Sequence, residues 1–137
     1  MDTLTKQERS RVMALVKNRD TKPEIVVRKL IHHLGYRYRL HINHLPGRPD
    51  LVFPSRHKII FVHGCFWHRH DCPSGHRVPK TRRKFWNEKF ARNEQRDRQN
   101  VVALCGAGWE VLLIWECQTT GRHLPSLTSS IRQFLDS

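Results

Sequence analysis

The residues best suited to chemistry lie between positions 46 and 76. With His57 set aside as a turn residue, this stretch combines Asp50 with four histidines, two cysteines and an adjacent aromatic pair, namely His63, His68, His70, His76, Cys65, Cys72, Phe66 and Trp67. Imidazoles move protons near neutral pH, and thiolates, imidazoles and carboxylates bind metals. Core packing alone does not account for such a density of reactive groups.

The cysteines predict a structural zinc site. Cys65, His70 and Cys72 fall within eight residues, and Cys117 follows a later apolar run. Three cysteines and one histidine suit a closed tetrahedral zinc site, which would stiffen the loop at 64–80. The alternative is a set of buried reduced cysteines with an unrelated surface histidine, and Cys105, apart from the cluster, is assigned to that class.

Asp50 predicts a second metal site of a different kind. A carboxylate and main-chain oxygens suit Mg²⁺, and His63 and His68 could supply a base for water and an acid for a leaving oxygen. Together these groups would suffice for phosphodiester hydrolysis. The alternative is that Asp50 only begins a strand or a turn.

A hairpin is predicted to bring these groups together. Apolar runs at 51–53 and 59–62 flank the turn-forming residues 54–58. In an antiparallel hairpin, Asp50 and His63 lie at the same end.

The remaining elements predict a mixed α/β fold. Thr21 and Glu24 have the spacing of a capping box for a helix that Gly35 ends, so Glu24 could be a cap, a site residue or both. We further predict a strand at 36–42, a long helix from Thr81 to about Cys105, a strand buried on both faces at 109–116, and a helix at 124–135. This order gives a mixed sheet with helices on both sides, in a single domain spanning 1–137.

The charge of the chain indicates a polyanionic partner. Lys and Arg number 25 against 12 Asp and Glu, a formal net charge of +13, which favours nucleic acid over an anionic membrane. No apolar run is long enough to span a membrane and the N-terminus lacks a signal-peptide core, so we expect a cytoplasmic protein. Residues 5–18 predict a short basic helix, either an arm that contacts DNA or a frayed surface helix.

Three aromatic residues lie in basic, loop-like surroundings. Phe66, Trp67 and Trp86 could stack on bases or enter a base step, which is easiest to open where the bases are mispaired. Their alternative is ordinary core packing, which we favour for Trp109 and Trp115.

Several motifs together resemble those of the very short patch repair (Vsr) DNA mismatch endonucleases. They are the Leu-Pro-Gly-Arg-Pro-Asp segment at 45–50, Phe-Val-His-Gly-Cys-Phe-Trp-His at 61–68, Val-Pro-x-Thr-Arg at 78–82, Phe-Trp at 85–86, Asn-x-x-Arg-Asp at 93–97 and Trp-Glu-Cys at 115–117. The resemblance implies a fold similar to the PD-(D/E)XK nucleases. It also implies Mg²⁺-dependent nicking of double-stranded DNA on the 5′ side of the thymine in a T·G mismatch, by a monomer, with other mismatch-repair proteins as further partners.

The same resemblance implies roles for individual residues. Asp50 and the Val62 carbonyl would hold Mg²⁺, His68 would activate water with Glu24 orienting it, and His63 would act near the phosphate or leaving group. Zinc would be bound by Cys65, His70, Cys72 and Cys117; Phe66, Trp67 and Trp86 would intercalate; and Met13, Lys89 and Asn93 would lie near the mismatch. Val62 stands where threonine is more usual, a difference that a carbonyl ligand should tolerate.

Two other functions remain open from the sequence. One is a nuclease of related fold that cuts a matched site or branched DNA. The other is a non-catalytic, zinc-stabilised DNA-binding module, which would give no reason for Asp50, His63 and His68 to converge.

Overall fold

A computed structural model of the protein describes residues 20–137. Four helices and three strands follow one another in this range: α1 (Lys22–His33), β1 (Leu51–Phe53), β2 (Lys58–His63), α2 (Cys65–His68), α3 (Arg83–Gly106), β3 (Glu110–Trp115) and α4 (Leu124–Asp136). The helix predicted at 5–18, including Met13, lies outside the described residues. None of the described helices is long and apolar enough to cross a membrane.

The predicted hairpin and the mixed sheet are both confirmed. Strands β1 and β2 are antiparallel, with Leu51 opposite Ile60, and β2 and β3 are parallel, with Ile60 opposite Leu112. A single 3-10 turn at Pro54–Arg56 joins the hairpin strands, and His57 completes it in the left-handed region with φ 55°.

Successive side chains of β2 point to opposite faces of the sheet and contribute to a separate core cluster on each face. Ile60 and Val62 pack in one cluster with side chains from α1 and α4, such as Ile31 and Ile131. Ile59 and Phe61 belong to a second cluster that includes Leu104 of α3. Helices therefore cover both faces, as the sequence predicts.

Two strand predictions are wrong. The strand predicted at 36–42 is reduced to one isolated bridge between Arg39 and Val52, because His41 adopts φ 58° and ends the extended backbone. The apolar run at 110–115 does form a strand, but it lies at the edge of the sheet observed here, and only Ile114 along it is fully buried. Strand β2 is the central strand, because it pairs with both β1 and β3, and every residue of β2 is buried.

The helices also differ from expectation at their boundaries. Helix α3 begins at Arg83 rather than Thr81, after Arg82 in the left-handed region. Residues 65–68, predicted as loop, form the single turn α2, whose end is set by Arg69 with φ 57°. Only Gly64 separates this turn from β2, so the turn begins just after the apolar run of β2 ends.

Lys58 attaches the C-terminal helix to the sheet. Its side chain is only 3% exposed, and its Nζ donates hydrogen bonds to the Phe134 carbonyl at 2.5 Å and to the Ser137 carbonyl and hydroxyl at 2.8 Å each. These carbonyls belong to the last turn of α4, where no intrahelical donor is available. The Lys58 ammonium group therefore provides the hydrogen-bond donors that the carbonyls at the end of α4 lack.

Candidate active site and metal centre

A cavity of about 540 Å³ opens at the end of the hairpin, between the start of α1 and the middle of α3. Five residues named from the sequence line it: Glu24, Asp50, Val62, His63 and His68. The expected convergence of an aspartate and two histidines is therefore present. The cavity is also lined by Gly47, Arg48, Phe61, Arg96, Asp97, Asn100 and Val101.

Asp50 and Glu24 form an acidic pair on one wall. Asp50 Oδ2 accepts a hydrogen bond from the Val62 N–H at 2.6 Å, which fixes the carboxyl group across the hairpin. The pKa of Asp50 is raised to about 7, mainly by burial and also by the nearby Glu24 carboxyl, against the opposing effect of the Val62 hydrogen bond. Two adjacent carboxyl groups in an open cavity form an oxygen site that a divalent cation would neutralise.

Glu24 combines the two roles left open by the sequence. Thr21 Oγ1 accepts a hydrogen bond from the Glu24 N–H at 3.5 Å, which is one half of the predicted capping box. The other half differs, since the Glu24 carboxylate accepts from the Asp20 N–H at 2.7 Å and from Arg28 at 3.1 Å. The carboxylate is thus held at the cavity wall by the start of α1 while also capping it.

The two histidines that line the cavity form a stacked pair. The rings of His63 and His68 lie 3.9 Å apart and within 7° of parallel. His68 Nδ1 donates to Asp97 Oδ2 at 2.5 Å, which leaves its Nε2 as an acceptor. The pKa of His63 is lowered to about 4, mainly by burial and also by the neighbouring His68, while Asp97 partly opposes both effects. His63 is therefore neutral at physiological pH.

The geometry of this group suits proton transfer better than metal binding. Ligand atoms of His63, His68 and Asp97 lie within 4.8 Å of one another, a spacing that could also suit a metal ion. An imidazole binds a metal in the plane of its ring, however, and two nearly parallel stacked rings cannot both direct a lone pair at one ion. The short bond to Asp97 accounts for the clustering without a metal.

Asp97 also lines the cavity, although the sequence predicts no role for it. It lies on α3 four residues after Asn93 and three before Asn100, so the three share a helix face. That face turns towards the sheet, and Asn93 is only 9% exposed. These polar residues in the middle of α3 therefore do not form a solvated face. Their spacing of four and three residues is the sequence signal that could have identified Asp97.

The chain passes close to α3 at Gly47 on the cavity rim. Gly47 has φ 78°, and a Cβ placed there would lie 2.9 Å from the amide nitrogen of Asn100 and 3.0 Å from the ring of Phe61. Only glycine fits this position without displacing the α3 side chain. The glycine thus allows the loop before Asp50 to close over one end of the cavity.

The four predicted zinc ligands do come together. Ligand atoms of Cys65, His70, Cys72 and Cys117 lie within 4.8 Å of one another. His70 Nδ1 is 3.8 Å from Cys65 Sγ and 3.5 Å from Cys117 Sγ. Tetrahedral zinc with Zn–S of about 2.3 Å and Zn–N of about 2.0–2.1 Å requires an S–N separation of about 3.6 Å, so the donor set fits this ion.

The pKa values of two thiols in the cluster are shifted in opposite directions. Burial raises the pKa of Cys65 to about 12, whereas hydrogen bonding by the Gly75 N–H is the main cause that lowers the pKa of Cys72. A Cβ on Gly75 would lie 1.6 Å from the His70 carbonyl oxygen. Gly75 thus brings its N–H to the Cys72 sulfur through a space that no side chain could share.

The proposed intercalating residues form one aromatic cluster with Phe90. Ring centroids are 5.0 Å apart for Phe66 and Trp67, 6.0 Å for Trp67 and Trp86, and 5.2 Å for Phe66 and Phe90. Trp86, which belongs to α3, is only 5% exposed, because its ring packs against Phe66, Trp67 and Phe90 and is not presented to solvent. Phe66 and Trp67 are half-buried at the surface.

Two of the predicted mismatch-contacting residues border this cluster. Lys89 Nζ lies 5.4 Å from the Trp67 ring centroid and 5.8 Å from that of Trp86, positions that suit cation–π contacts. Asn93 is directed inward and donates a hydrogen bond to the Trp67 carbonyl at 3.2 Å. Met13 is outside the described residues.

A cavity lined by two carboxyl groups and by a histidine paired with an aspartate, on a chain with a basic aromatic cluster, has the groups that a metal-assisted hydrolase of nucleic acid uses. Comparison with known proteins agrees with this class. A family model described as DNA mismatch endonuclease Vsr matches residues 1–74.

Three relatives extend the similarity over most of the chain. The type II nicking enzyme V.XorIIP of Xanthomonas oryzae pv. oryzae is 44% identical over 135 residues, covering 98% of this chain and 97% of the relative. The type II nicking enzyme V.NmeAIP of Neisseria meningitidis is 36% identical over 138 residues, covering 99% and 98%. The DNA mismatch endonuclease Vsr of Escherichia coli is 42% identical over 122 residues, covering 89% and 78%. The chain belongs to the Vsr DNA mismatch endonuclease family and is a DNA endonuclease.

Proposed function

We propose that this endonuclease nicks double-stranded DNA on the 5′ side of the thymine in a T·G mismatch, the product of 5-methylcytosine deamination. The observation that carries the proposal is that Asp50, Glu24 and the stacked His63 and His68 line one cavity. The mismatch preference is supported by the similarity to the Escherichia coli relative, which is a DNA mismatch endonuclease by name, and by the aromatic cluster that includes Trp67, the residue before His68.

His68 is the base in this mechanism. Its Nδ1–H is committed to Asp97, so Nε2 can accept a proton from a water molecule that attacks the phosphorus. As the new oxygen–phosphorus bond forms, the bond to the leaving oxygen of the DNA breaks. The Asp97 carboxylate stabilises the imidazolium that results, because it is already hydrogen-bonded to the protonated nitrogen.

His63 acts as a neutral hydrogen-bond donor near the scissile phosphate. Its Nδ1 is buried with no hydrogen-bond partner among the described residues, and its pKa is lowered by burial. A tautomer with the proton on Nε2 leaves Nδ1 as the unpaired acceptor and directs an N–H into the cavity. That N–H would stabilise the phosphate or the leaving oxygen.

Asp50 and the Val62 carbonyl would hold Mg²⁺. When bound, Mg²⁺ supplies positive charge that stabilises the developing charge on the phosphate. Glu24, which lines the same cavity, would orient the water that His68 activates. The raised pKa of Asp50 is consistent with a site whose charge is balanced by a cation.

The surface next to the cavity would recognise the lesion. Phe66, Trp67 and Trp86 would enter the base step, with Met13, Lys89 and Asn93 near the mismatched pair. Stacking on an aromatic ring stabilises binding by about 1–3 kcal/mol per base, and opening a mispaired step costs less than opening a paired one. Because Trp86 is packed inside the cluster, its insertion would require the cluster to open.

Zn²⁺ held by Cys65, His70, Cys72 and Cys117 would be structural. It would fix the chain on both sides of His68, since two ligands flank that residue in the sequence. We further propose that residues 1–137 form one endonuclease domain similar to the PD-(D/E)XK nucleases, with 1–18 as a DNA-contacting arm. The enzyme would act as a cytoplasmic monomer, because a single nick needs one active site, together with other mismatch-repair proteins.

A panel of end-labelled duplexes tests the proposal. The duplexes would be identical apart from a T·G, T·A or C·G pair at one position, or a branched junction, and each would be incubated with and without Mg²⁺. We expect one nick, 5′ to the thymine, only on the T·G duplex with Mg²⁺. Equal cutting of the matched or branched substrates would favour the related nuclease instead. The Asp50→Ala variant should bind the T·G duplex but not cut it, whereas a non-catalytic module would be inactive before the substitution.

A further inference from the structure

Four rings form a row from the candidate metal centre to the candidate active site. The His70 ring stacks on the Trp115 ring, with centroids 4.3 Å apart and planes within 16° of parallel. Trp115 and His63 then meet edge to face, with centroids 5.3 Å apart and planes at 75°. The last contact in the row is the stacking of His63 on His68. Trp115 therefore contacts both a proposed zinc ligand and a histidine of the cavity.

The sheet determines the position of Trp115. In the parallel pairing of β2 and β3, Trp115 lies opposite His63, and each is the last residue of its strand. The Trp115 N–H donates a hydrogen bond to the Gln118 side-chain oxygen at 2.8 Å. The Glu116 carboxylate accepts one from the Cys65 N–H at 3.4 Å. The end of β3 is thus attached both to the segment that follows it and to the start of α2.

The His63 imidazole depends on packing for its orientation. The His68 ring is held by its hydrogen bond to Asp97, whereas the Nδ1 atom of His63 is buried and has no hydrogen-bond partner within residues 20–137. The rings of Phe61, His68 and Trp115 lie around it, with centroids at 5.5, 3.9 and 5.3 Å. Of these three rings, only that of Trp115 is carried by the neighbouring strand and also contacts the metal centre.

We propose that Trp115 is a positioning residue that orients the His63 ring and connects it to the zinc centre. The inference rests on the function proposed above, in which the His63 N–H stabilises the phosphate or the leaving oxygen. Edge-to-face contacts between aromatic rings have a preferred geometry, so this contact favours one rotamer of His63. Metal binding by His70 would fix the ring on which Trp115 stacks, and zinc would thereby support the orientation of His63 from a distance.

Ordinary core packing, the role that the sequence favours for Trp115, has different consequences. A core residue stabilises the fold, so replacing it by another apolar side chain would lower stability without slowing the chemical step. A positioning residue needs its flat ring, so loss of the ring would slow the chemical step once DNA is bound. Trp115 is only partly buried and lines a surface cavity of about 520 Å³ together with His63 and His70, which favours the second role.

The test compares Trp115→Leu with Trp115→Phe in the full chain, with zinc in excess. Leucine keeps apolar bulk without a planar ring, and phenylalanine keeps a smaller ring. Trp109→Leu and Trp109→Phe are matched controls, since Trp109 directly precedes the same strand, is also partly buried and packs against His57 without lining the cavity. Single-turnover nicking of a saturated T·G duplex gives the rate of the chemical step. A binding titration gives the affinity for the same duplex.

Trp115→Leu should nick about 10- to 100-fold more slowly, as expected for a small displacement of a reacting group. Trp115→Phe should stay within about fivefold of the parent. Zinc content should be unchanged and DNA affinity should stay within about threefold. Both Trp109 variants should nick within about threefold of the parent, even where their Tm falls.

Two further measurements show whether the effect passes through His63. In a His63→Ala background, Trp115→Leu should cause no further slowing, because substitutions that act through one group are not additive. In the DNA-free protein, the ¹H–¹³C NMR signal of the His63 ring should broaden or split in Trp115→Leu as a second rotamer becomes populated. The NMR measurement does not depend on activity.

The outcomes separate the possible roles. A parental rate in Trp115→Leu, with one narrow His63 signal, would overturn the positioning role. Equal slowing by Trp115→Leu with and without His63 would overturn it in favour of a general effect on the fold, and so would a loss of zinc that accounts for the slower rate. Failure of the unsubstituted enzyme to nick T·G DNA would instead refute the proposed function, while the His63 signal would still show whether Trp115 orients that ring.

Discussion

Replacing Asp97 by asparagine isolates the charge behind the proposed base. The asparagine side chain has nearly the same shape, so the cavity keeps its form while the negative charge next to His68 disappears. Two unit charges about 4 Å apart interact by about 4 kcal/mol at an effective dielectric constant of about 20. The side chains of His68 and Asp97 are 24% and 20% exposed, so solvent screening reduces the expected loss to about 2–3 kcal/mol.

That loss corresponds to a rate reduction of about 30- to 150-fold. The reduction would approach 10⁴-fold if the new amide donates to Nδ1, because His68 would then carry its proton on Nε2 and could not accept one from water. Single-turnover nicking of a T·G duplex by saturating enzyme measures the effect without interference from product release.

The control for this substitution is Glu94→Gln, which removes the same charge from a half-exposed position on the same helix, where it pairs with Arg98. It should nick within about threefold of the parent. The reasoning about His68 would be refuted if Asp97→Asn, with unchanged zinc content and DNA affinity, also nicked at the parental rate. A loss confined to DNA affinity would be equally damaging, since Asp97 is proposed to act after binding.

Three further substitutions test the surface, the metal centre and the fold. Trp67→Ala should lower the ratio of affinities for T·G and T·A duplexes by about 5- to 100-fold, the equivalent of about 1–3 kcal/mol of stacking; an unchanged ratio in a binding titration would exclude Trp67 as the wedge. Gly75→Ala should reduce zinc content and thermal stability, because its Cβ would collide with the His70 carbonyl, and metal analysis that finds a full equivalent of zinc would contradict this. Lys58→Met should lower the free energy of unfolding in urea by about 2 kcal/mol through the loss of its bonds to α4; a change below about 0.5 kcal/mol would show that water replaces the ammonium group without cost.

The central hairpin could be predicted because its signals are local. Two apolar runs and a turn determine that Asp50 and His63 lie at the same end of the hairpin, where both line the cavity. The spacing of the cysteines and histidines predicts the cluster around His70. Both depend on residues close in sequence or directly after a strand. The apolar composition of β2 and β3 likewise predicts that both segments are strands.

The failures involve properties that local sequence does not determine. An apolar run indicates burial but not which strand of a sheet is central. The run at 109–116 predicts a strand buried on both faces, whereas β3 lies at the edge of the described sheet and β2 lies between the other two strands. The left-handed backbone of His41, which ends the extended segment after Tyr36, has no signal in residue type. To predict that Asp97 lines the cavity, one would need to know which face of α3 turns inward. Helix α3 is too polar for an apolar stripe to mark that face.

The helical turn α2 places neighbouring residues in different environments. Successive side chains of a helix project about 100° apart, so Cys65 reaches the zinc cluster, Phe66 and Trp67 reach the aromatic cluster, and His68 reaches the cavity. Inserting or deleting a single residue here would rotate every later group into its neighbour's place and would disable metal binding, wedge and base together. Anyone who wishes to transfer this specificity to another scaffold would therefore have to graft the turn whole, along with the face of α3 that receives it.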